Sequence, residues 1–162
     1  MELSIQDAAQ RAENFVEVAK QNGDAFDYSA KSIEALDDLL GGFFDSGNKP
    51  EDMLGTILVA SCYLGEVFRR VEKAEWIDGT SLGDDVMPAE MRFPLMMRLD
   101  ETYFAPYSKV YKRLENGAED SLPFYFQVLT SQADMPQRTT TLNPAPSSTP
   151  KKGWFSRLLG KS

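Results

Sequence analysis

Glu66 is the acidic residue in the setting best suited to chemistry, because it lies inside a long apolar segment, MLGTILVASCYLGEVFRR, at residues 53–70. Arg70 follows it at the i,i+4 spacing that favours an ion pair on a helix, with Arg69 also near. Two interpretations stay open at this point. Glu66 forms a structural ion pair at the helix end, or Glu66, Arg70 and Trp76 line a small polar pocket beside a sheet.

Histidine is absent from the chain. This excludes serine and cysteine triads of the common kind, His-ligated zinc sites and histidine general bases. The only cysteine, Cys62, lies between Ser61 and Tyr63 in the apolar segment, with no histidine to activate it. We therefore expect a buried, inert thiol and predict no catalytic residue.

Carboxylates are the remaining groups that could hold a metal. Asp78, Asp84 and Asp85 cluster around glycines, but their spacing matches no calcium loop, and turn chemistry explains them equally well. Asp37–Asp38 reads as a solvated helix face and Glu119–Asp120 as a helix N-terminus. We predict no metal and no cofactor, and a carboxylate-based metal-dependent hydrolase remains the least favoured alternative.

The net charge of −8 is unevenly distributed. Residues 1–150 carry 13 Lys and Arg against all 25 Asp and Glu, a net −12, whereas residues 151–162 carry four Lys and Arg and no acid. An acidic body disfavours nucleic acid as a partner and suits a basic protein. No stretch approaches the roughly 20 apolar residues of a membrane span, and no secretory signal is recognisable, so we expect a cytoplasmic protein.

Apolar residues at helical spacing predict three helices in the first half of the chain. The first starts at Ser4 and ends at Asn22–Gly23, and the second is capped by Asp27 or Ser29 and frays near Gly41–Gly42. Asn48, followed by Pro50 and two carboxylates, predicts the start of the third. This third helix is apolar on nearly every face, so we expect it to be the central one, with Gly55 and Gly65 allowing close approach of a neighbour.

After Lys73 the pattern changes to short runs typical of strands. Two or three strands are predicted from residues 75–77, 80–82 and 86–88, with 91–99 as another candidate that Pro94 places at an edge or a bend. Two further helices follow, from Pro106 to Asn116–Gly117 and from about Glu119 to residue 130. The predicted fold is therefore α+β, a helix-rich single domain with a small antiparallel sheet.

The remaining chain divides into a linker and a contact motif. Residues 131–150 are rich in Pro, Thr and Ser and have almost no large apolar residue, which predicts a disordered linker after a globular domain at 1–130. In residues 151–162, KKGWFSRLLGKS, a helix would gather the apolar side chains within about 140° of arc. The predicted contact residues are Trp154, Phe155, Leu158, Leu159, Lys151, Lys152 and Arg157.

Such a short amphipathic helix is unstable alone in water, so it should order only on contact with a receiver. Three receivers stay open: a groove on another protein, an anionic membrane surface, or the acidic body of the same chain. A protein groove is slightly favoured, because one weak membrane signal gives only marginal attachment.

Two stretches, SCYLGEVFRRVEKAEW and KVYKRLENGAEDSL, resemble small uncharacterised bacterial proteins. In these a Tyr-x-Gly-Glu helix precedes a tryptophan strand, and a Lys-Arg-x-x-x-Gly segment precedes the last helix. The resemblance covers roughly residues 28–130; it implies a bacterial source and an α+β domain, and no activity. The sequence as a whole favours a non-catalytic interaction protein, an adaptor or inhibitor, with a peripheral membrane protein at the inner face of the membrane as the alternative.

Overall fold

A computed structural model describes residues 3–134 of the chain. Within this part it contains five α-helices and one three-stranded antiparallel sheet, as the fold prediction requires. The helices are α1 Ala8–Gln21, α2 Ser32–Asp45, α3 Leu54–Glu72, α4 Pro106–Asn116 and α5 Leu122–Asp134; the strands are β1 Glu75–Ile77, β2 Met96–Leu99 and β3 Thr102–Phe104. Residues 131–134, predicted as the start of the linker, belong to the end of α5, and the rest of the predicted linker and the predicted amphipathic helix lie outside the described residues.

Helix α3 is the centre of the domain, as its composition predicts. Nine consecutive residues, 60–68, are all buried, which is two and a half turns and therefore every face of the helix. Helix α1 packs on one side of it, α4 on another, and α2 and β1 complete the cover. The apolar stripes of α1, α2, α4 and α5 and buried side chains of β2 and β3 join the same core cluster as α3.

The helix boundaries follow local chemistry. Ser4 caps the entry to α1 by accepting from Gln6 N, and Gly23 leaves the helix at φ 92°, a conformation that glycine adopts without strain. Ser29 Oγ accepts from Ser32 N and so caps α2 as predicted. Asn48 is different: its side chain donates to Phe43 O at the end of α2, and a 3₁₀ turn at Pro50–Asp52 leads into α3 instead.

Helix α2 does not fray at its glycine pair but continues to Asp45. The reason is tertiary: a Cβ at residue 41 would lie 2.8 Å from Arg113 Nη2, so Gly41 lets that guanidinium pack against the helix. Of the two glycines predicted to allow close packing on α3, only one has a neighbour against it. Gly65 has such a neighbour, whereas a Cβ at Gly55 would meet no heavy atom within 4 Å.

The sheet is smaller and differently composed than predicted. β1 is the predicted 75–77 strand, but residues 79–81 form a 3₁₀ turn capped by Asp78, and 86–88 form no strand. β2 keeps only the second half of the predicted 91–99 strand, because Pro94 precedes it at a bend. β2 is the middle strand, paired with β1 and with the unpredicted β3.

Truncating a side chain in the middle of α3 should destabilise the whole domain. Leu64 is fully buried, so Leu64→Ala should lower the free energy of unfolding by about 2–5 kcal/mol in urea denaturation. Leu54→Ala is the matched control, since Leu54 lies on the same helix but is half exposed, and it should cost less than about 1 kcal/mol. Equal losses in the two variants would contradict the central placement of α3.

Candidate functional site

Glu66 is fully buried and lies at the centre of a polar cluster that the structure forms from α3 and β1. Its Oε1 accepts from Arg69 Nη2 at 2.8 Å and Arg70 Nε at 3.2 Å. Its Oε2 accepts from Arg69 Nε at 2.8 Å and Trp76 Nε1 at 2.9 Å. Four hydrogen bonds use the full accepting capacity of a carboxylate, so these contacts leave Glu66 no lone pair for a ligand or a metal.

Gly65 makes the contact between Trp76 and Glu66 possible. A Cβ at residue 65 would lie 2.2 Å from the Trp76 ring, so only glycine lets the indole approach α3 this closely. β1 begins only three residues after α3 ends, and Lys73 makes the turn between them in the left-handed conformation at φ 66°. The cluster thus fastens the first strand to the central helix.

The protonation of Glu66 follows from two opposing effects. Burial raises its pKa, but the hydrogen bonds from Arg69, Trp76 and Arg70 outweigh burial and hold the pKa below its ordinary value of 4.5. The carboxylate is therefore charged at neutral pH, and it is balanced by two guanidinium groups that remain partly exposed. A permanently charged, fully hydrogen-bonded acid of this kind holds structure together and is poorly suited to transfer a proton.

Tyr28 and Tyr63 extend this cluster, and the sequence analysis missed both. The Arg70 guanidinium lies 3.6 Å above the Tyr28 ring, and Tyr28 OH donates to Glu13 at 2.6 Å. Tyr28 has φ 66°, an unfavourable conformation for a non-glycine residue, and its backbone N donates to Tyr63 OH at 2.8 Å. No spacing rule points to these residues, since Tyr28 and Tyr63 are 35 positions apart.

A second set of charges joins α2, α4 and α5, and it corrects the prediction for Asp37. Asp37 is not on a solvated face: it accepts from Arg113 Nε at 2.8 Å and from Leu122 N at 2.9 Å, and so caps α5 from another helix. Asp120 is buried, and accepts from Lys109 Nζ at 3.0 Å and from Asn116 at 2.8 Å. Burial lowers the pKa of Lys109, and the Asp120 charge opposes that shift.

The other residues considered for catalysis or metal binding are buried or take part in local structural contacts. Cys62 is buried as predicted, and burial raises its pKa to about 12, so it is a protonated thiol at neutral pH. Asp78 accepts from Thr80 N as a turn cap, and Asp84 pairs with Arg92. Between residues 3 and 134, no three acidic or cysteine side chains converge as a metal ion would require.

An open apolar groove is the feature that the sequence analysis did not anticipate. It holds about 350 Å³ and lies where the start of α3 meets the segment before β2 and the first turn of α4. Leu54 is 49% exposed there, and Gly55, where a Cβ would meet no heavy atom within 4 Å, also lines the groove. Its walls include Leu54, Gly55, Leu58, Phe93, Leu95 and Tyr107.

The predicted contact residues of the 151–162 motif all lie outside the described residues. The predicted pocket residues, by contrast, do meet: Glu66, Arg70 and Trp76 form one hydrogen-bonded group. The described domain therefore contains two distinct features. One is a set of charged side chains that hydrogen-bond to each other within the fold, and the other is an unfilled apolar groove at the surface.

Removing the Glu66 charge should weaken the domain in a pH-dependent way. Because the folded pKa is below the unfolded one, the charge stabilises the fold above pH 4.5, and this contribution is lost as pH falls through the folded pKa. Glu66→Gln should therefore cost about 1–3 kcal/mol in urea denaturation at pH 7, and the gap to wild type should shrink at pH 3. Glu75→Gln removes a surface pair with Arg98 and is the control, costing less than about 1 kcal/mol. If the difference in the free energy of unfolding between wild type and Glu66→Gln is as large at pH 3 as at pH 7, the loss of stability comes from the shape of the side chain and not from its charge.

No protein-family model matches the chain, and no curated protein or solved structure is significantly similar to it.

Proposed function

We propose that this chain is a non-catalytic bacterial interaction protein, an adaptor or inhibitor of the cytoplasm that binds a protein partner. In this proposal the acidic body attracts a basic partner, and the apolar groove and the 151–162 motif supply the specific contacts. The observation that carries the proposal is the groove, because a concave and almost wholly apolar surface binds by burying apolar groups and offers little to a reacting substrate.

The interior supports the same conclusion. The acidic groups that the structure buries, Glu66 and Asp120, are each matched by basic partners, and Asp37, largely buried, is matched by Arg113. The buried thiol is held protonated. An active site needs a group poised near the pH at which it works, whereas Glu66 is held charged and Cys62 is held protonated at neutral pH.

The acidic surface supports a basic partner. In the described part of the chain the acidic side chains outnumber the basic ones two to one, and several of the basic ones are committed to ion pairs. The field around the domain is therefore negative, and it speeds association with a positively charged surface.

Peripheral membrane attachment is the second candidate, and the composition of the 151–162 motif favours it. Four basic residues beside Trp154, Phe155, Leu158 and Leu159 suit the interface of an anionic bilayer. Among residues 3–134, no helix is long and apolar enough to cross a membrane.

Photocrosslinking in cells that produce the protein tests the leading proposal. A photoreactive residue at Leu54, in the groove, should yield a discrete adduct with a second protein, whereas one at Val18, which is 58% exposed and outside the groove, should not. Equal adducts from both positions, or none from either, would contradict a groove-directed partner.

Co-sedimentation of the protein with lipid vesicles tests the membrane alternative. Wild-type chain, a scrambled 151–162 segment and Trp154→Ala are mixed with anionic and neutral vesicles at low and moderate salt. If wild type and the scrambled segment both sediment with anionic vesicles only, and both are released by salt, the segment is an electrostatic membrane tether.

A further inference from the structure

We propose that residues 151–162 of the same chain occupy the apolar groove, so that the motif covers its own domain until a partner displaces it. The inference deepens the proposed function and rests on it, because it identifies what fills the groove when no partner is bound. Four observations carry it: the empty space in the groove, the composition of the motif, the charges beside the groove and the length of chain between them.

The groove has room for large apolar side chains. It holds about 350 Å³, within the range of pockets that enclose an aromatic ligand. A Cβ at Gly55 would have no heavy atom within 4 Å, and Phe93 and Tyr107 are half-buried at its wall with ring centroids 6.3 Å apart.

The motif has the matching composition. As a helix it presents Trp154, Phe155, Leu158 and Leu159 on one face, which are the anchors of helix-in-groove recognition. It is also the most basic stretch of the chain, with four Lys and Arg and no acid in twelve residues. An occupant of the groove should therefore be apolar on one side and positive on the other.

The charges near the groove favour such an occupant. Glu51 and Asp52 are exposed and lie three and two residues before Leu54, and the exposed Glu90 lies three residues before Phe93. The basic side chains equally near in sequence, Arg92, Arg98 and Lys109, are each paired with a carboxylate. The surroundings of the groove are thus acidic, and they attract the basic motif.

The connecting chain is long enough. Between the end of α5 at Asp134 and the motif lie the 16 residues from 135 to 150, which span up to about 50 Å when extended. A compact domain of this size has a radius of gyration of about 14 Å, so most of its surface is within reach of the linker. A tether of this length gives an effective concentration on the order of 1 mM, so a motif that binds in trans with a Kd of about 100 μM would close about nine molecules in ten.

A competition experiment with the full chain tests this. A fluorescent peptide of residues 151–162 is titrated, by anisotropy, into wild type and into a Trp154→Ser/Leu158→Ser variant whose own motif is disabled. The peptide should bind the variant about ten-fold more tightly, because in wild type the tethered motif competes. Adding Gly55→Leu to the variant places a large side chain at the groove wall, where the Cβ itself meets no heavy atom within 4 Å, and should abolish binding.

Gly42→Leu is the matched control, because Gly42 is also helical and also has open space around its Cβ position. It should leave peptide binding to the motif-disabled variant unchanged. Equal affinity for wild type and variant, or binding that survives Gly55→Leu, would overturn the inference. So would wild type that sediments as a dimer at the concentration used, since the motif would then fill the groove of a second copy. A Leu54 adduct with another protein, found alongside any of these results, would leave the proposed function standing while the inference fails.

Discussion

The constraint on which the rest of the structure depends is that α3 has to be covered on every face. A helix with nine consecutive buried residues cannot lie at a surface, and packing it requires a neighbour on each side. α1, α2, α4 and β1 supply those neighbours, which is why a short sheet appears in an otherwise helical domain. Burying the whole helix also buries Glu66, and a buried carboxylate is tolerated only when its charge is matched and its lone pairs are filled. Arg69, Arg70 and Trp76 meet that requirement and join β1 to α3.

Charged and apolar side chains have different roles in the interior and at the surface of the domain. Inside, the buried charges are used to connect elements: Glu66 connects α3 to β1, and Asp37 connects α2 to both α4 and α5. Outside, the domain is acidic and leaves one apolar groove open where α3, α4 and the segment before β2 meet. The described domain thus commits its buried carboxylates to its own fold, while the apolar walls of the groove are left partly uncovered.

Much of the fold could be predicted because it is local in origin. The stripes of α1, α2, α4 and α5 and the apolar composition of α3 are properties of short windows, and glycine and proline mark their ends. β3 was missed because the two residues between β2 and β3, Asp100 and Glu101, are not the glycine-containing pair that marks a hairpin turn. Asp37 was misread because its partners, Arg113 and Leu122 N, lie 76 and 85 residues away. Glu66 and Trp76 were paired correctly since only ten residues separate them, whereas the groove is made by three distant segments and leaves no local pattern.

Native-state hydrogen exchange of the α3 amides tests the central claim most directly. If α3 is the element that all others cover, amides 57–68 should exchange only when the whole domain unfolds, so their free energy of opening should equal the free energy of unfolding from urea denaturation. Amides in β3 and at the end of α5 should exchange through smaller openings. An opening free energy for α3 well below the global value, with a different element protected longest, would contradict the account.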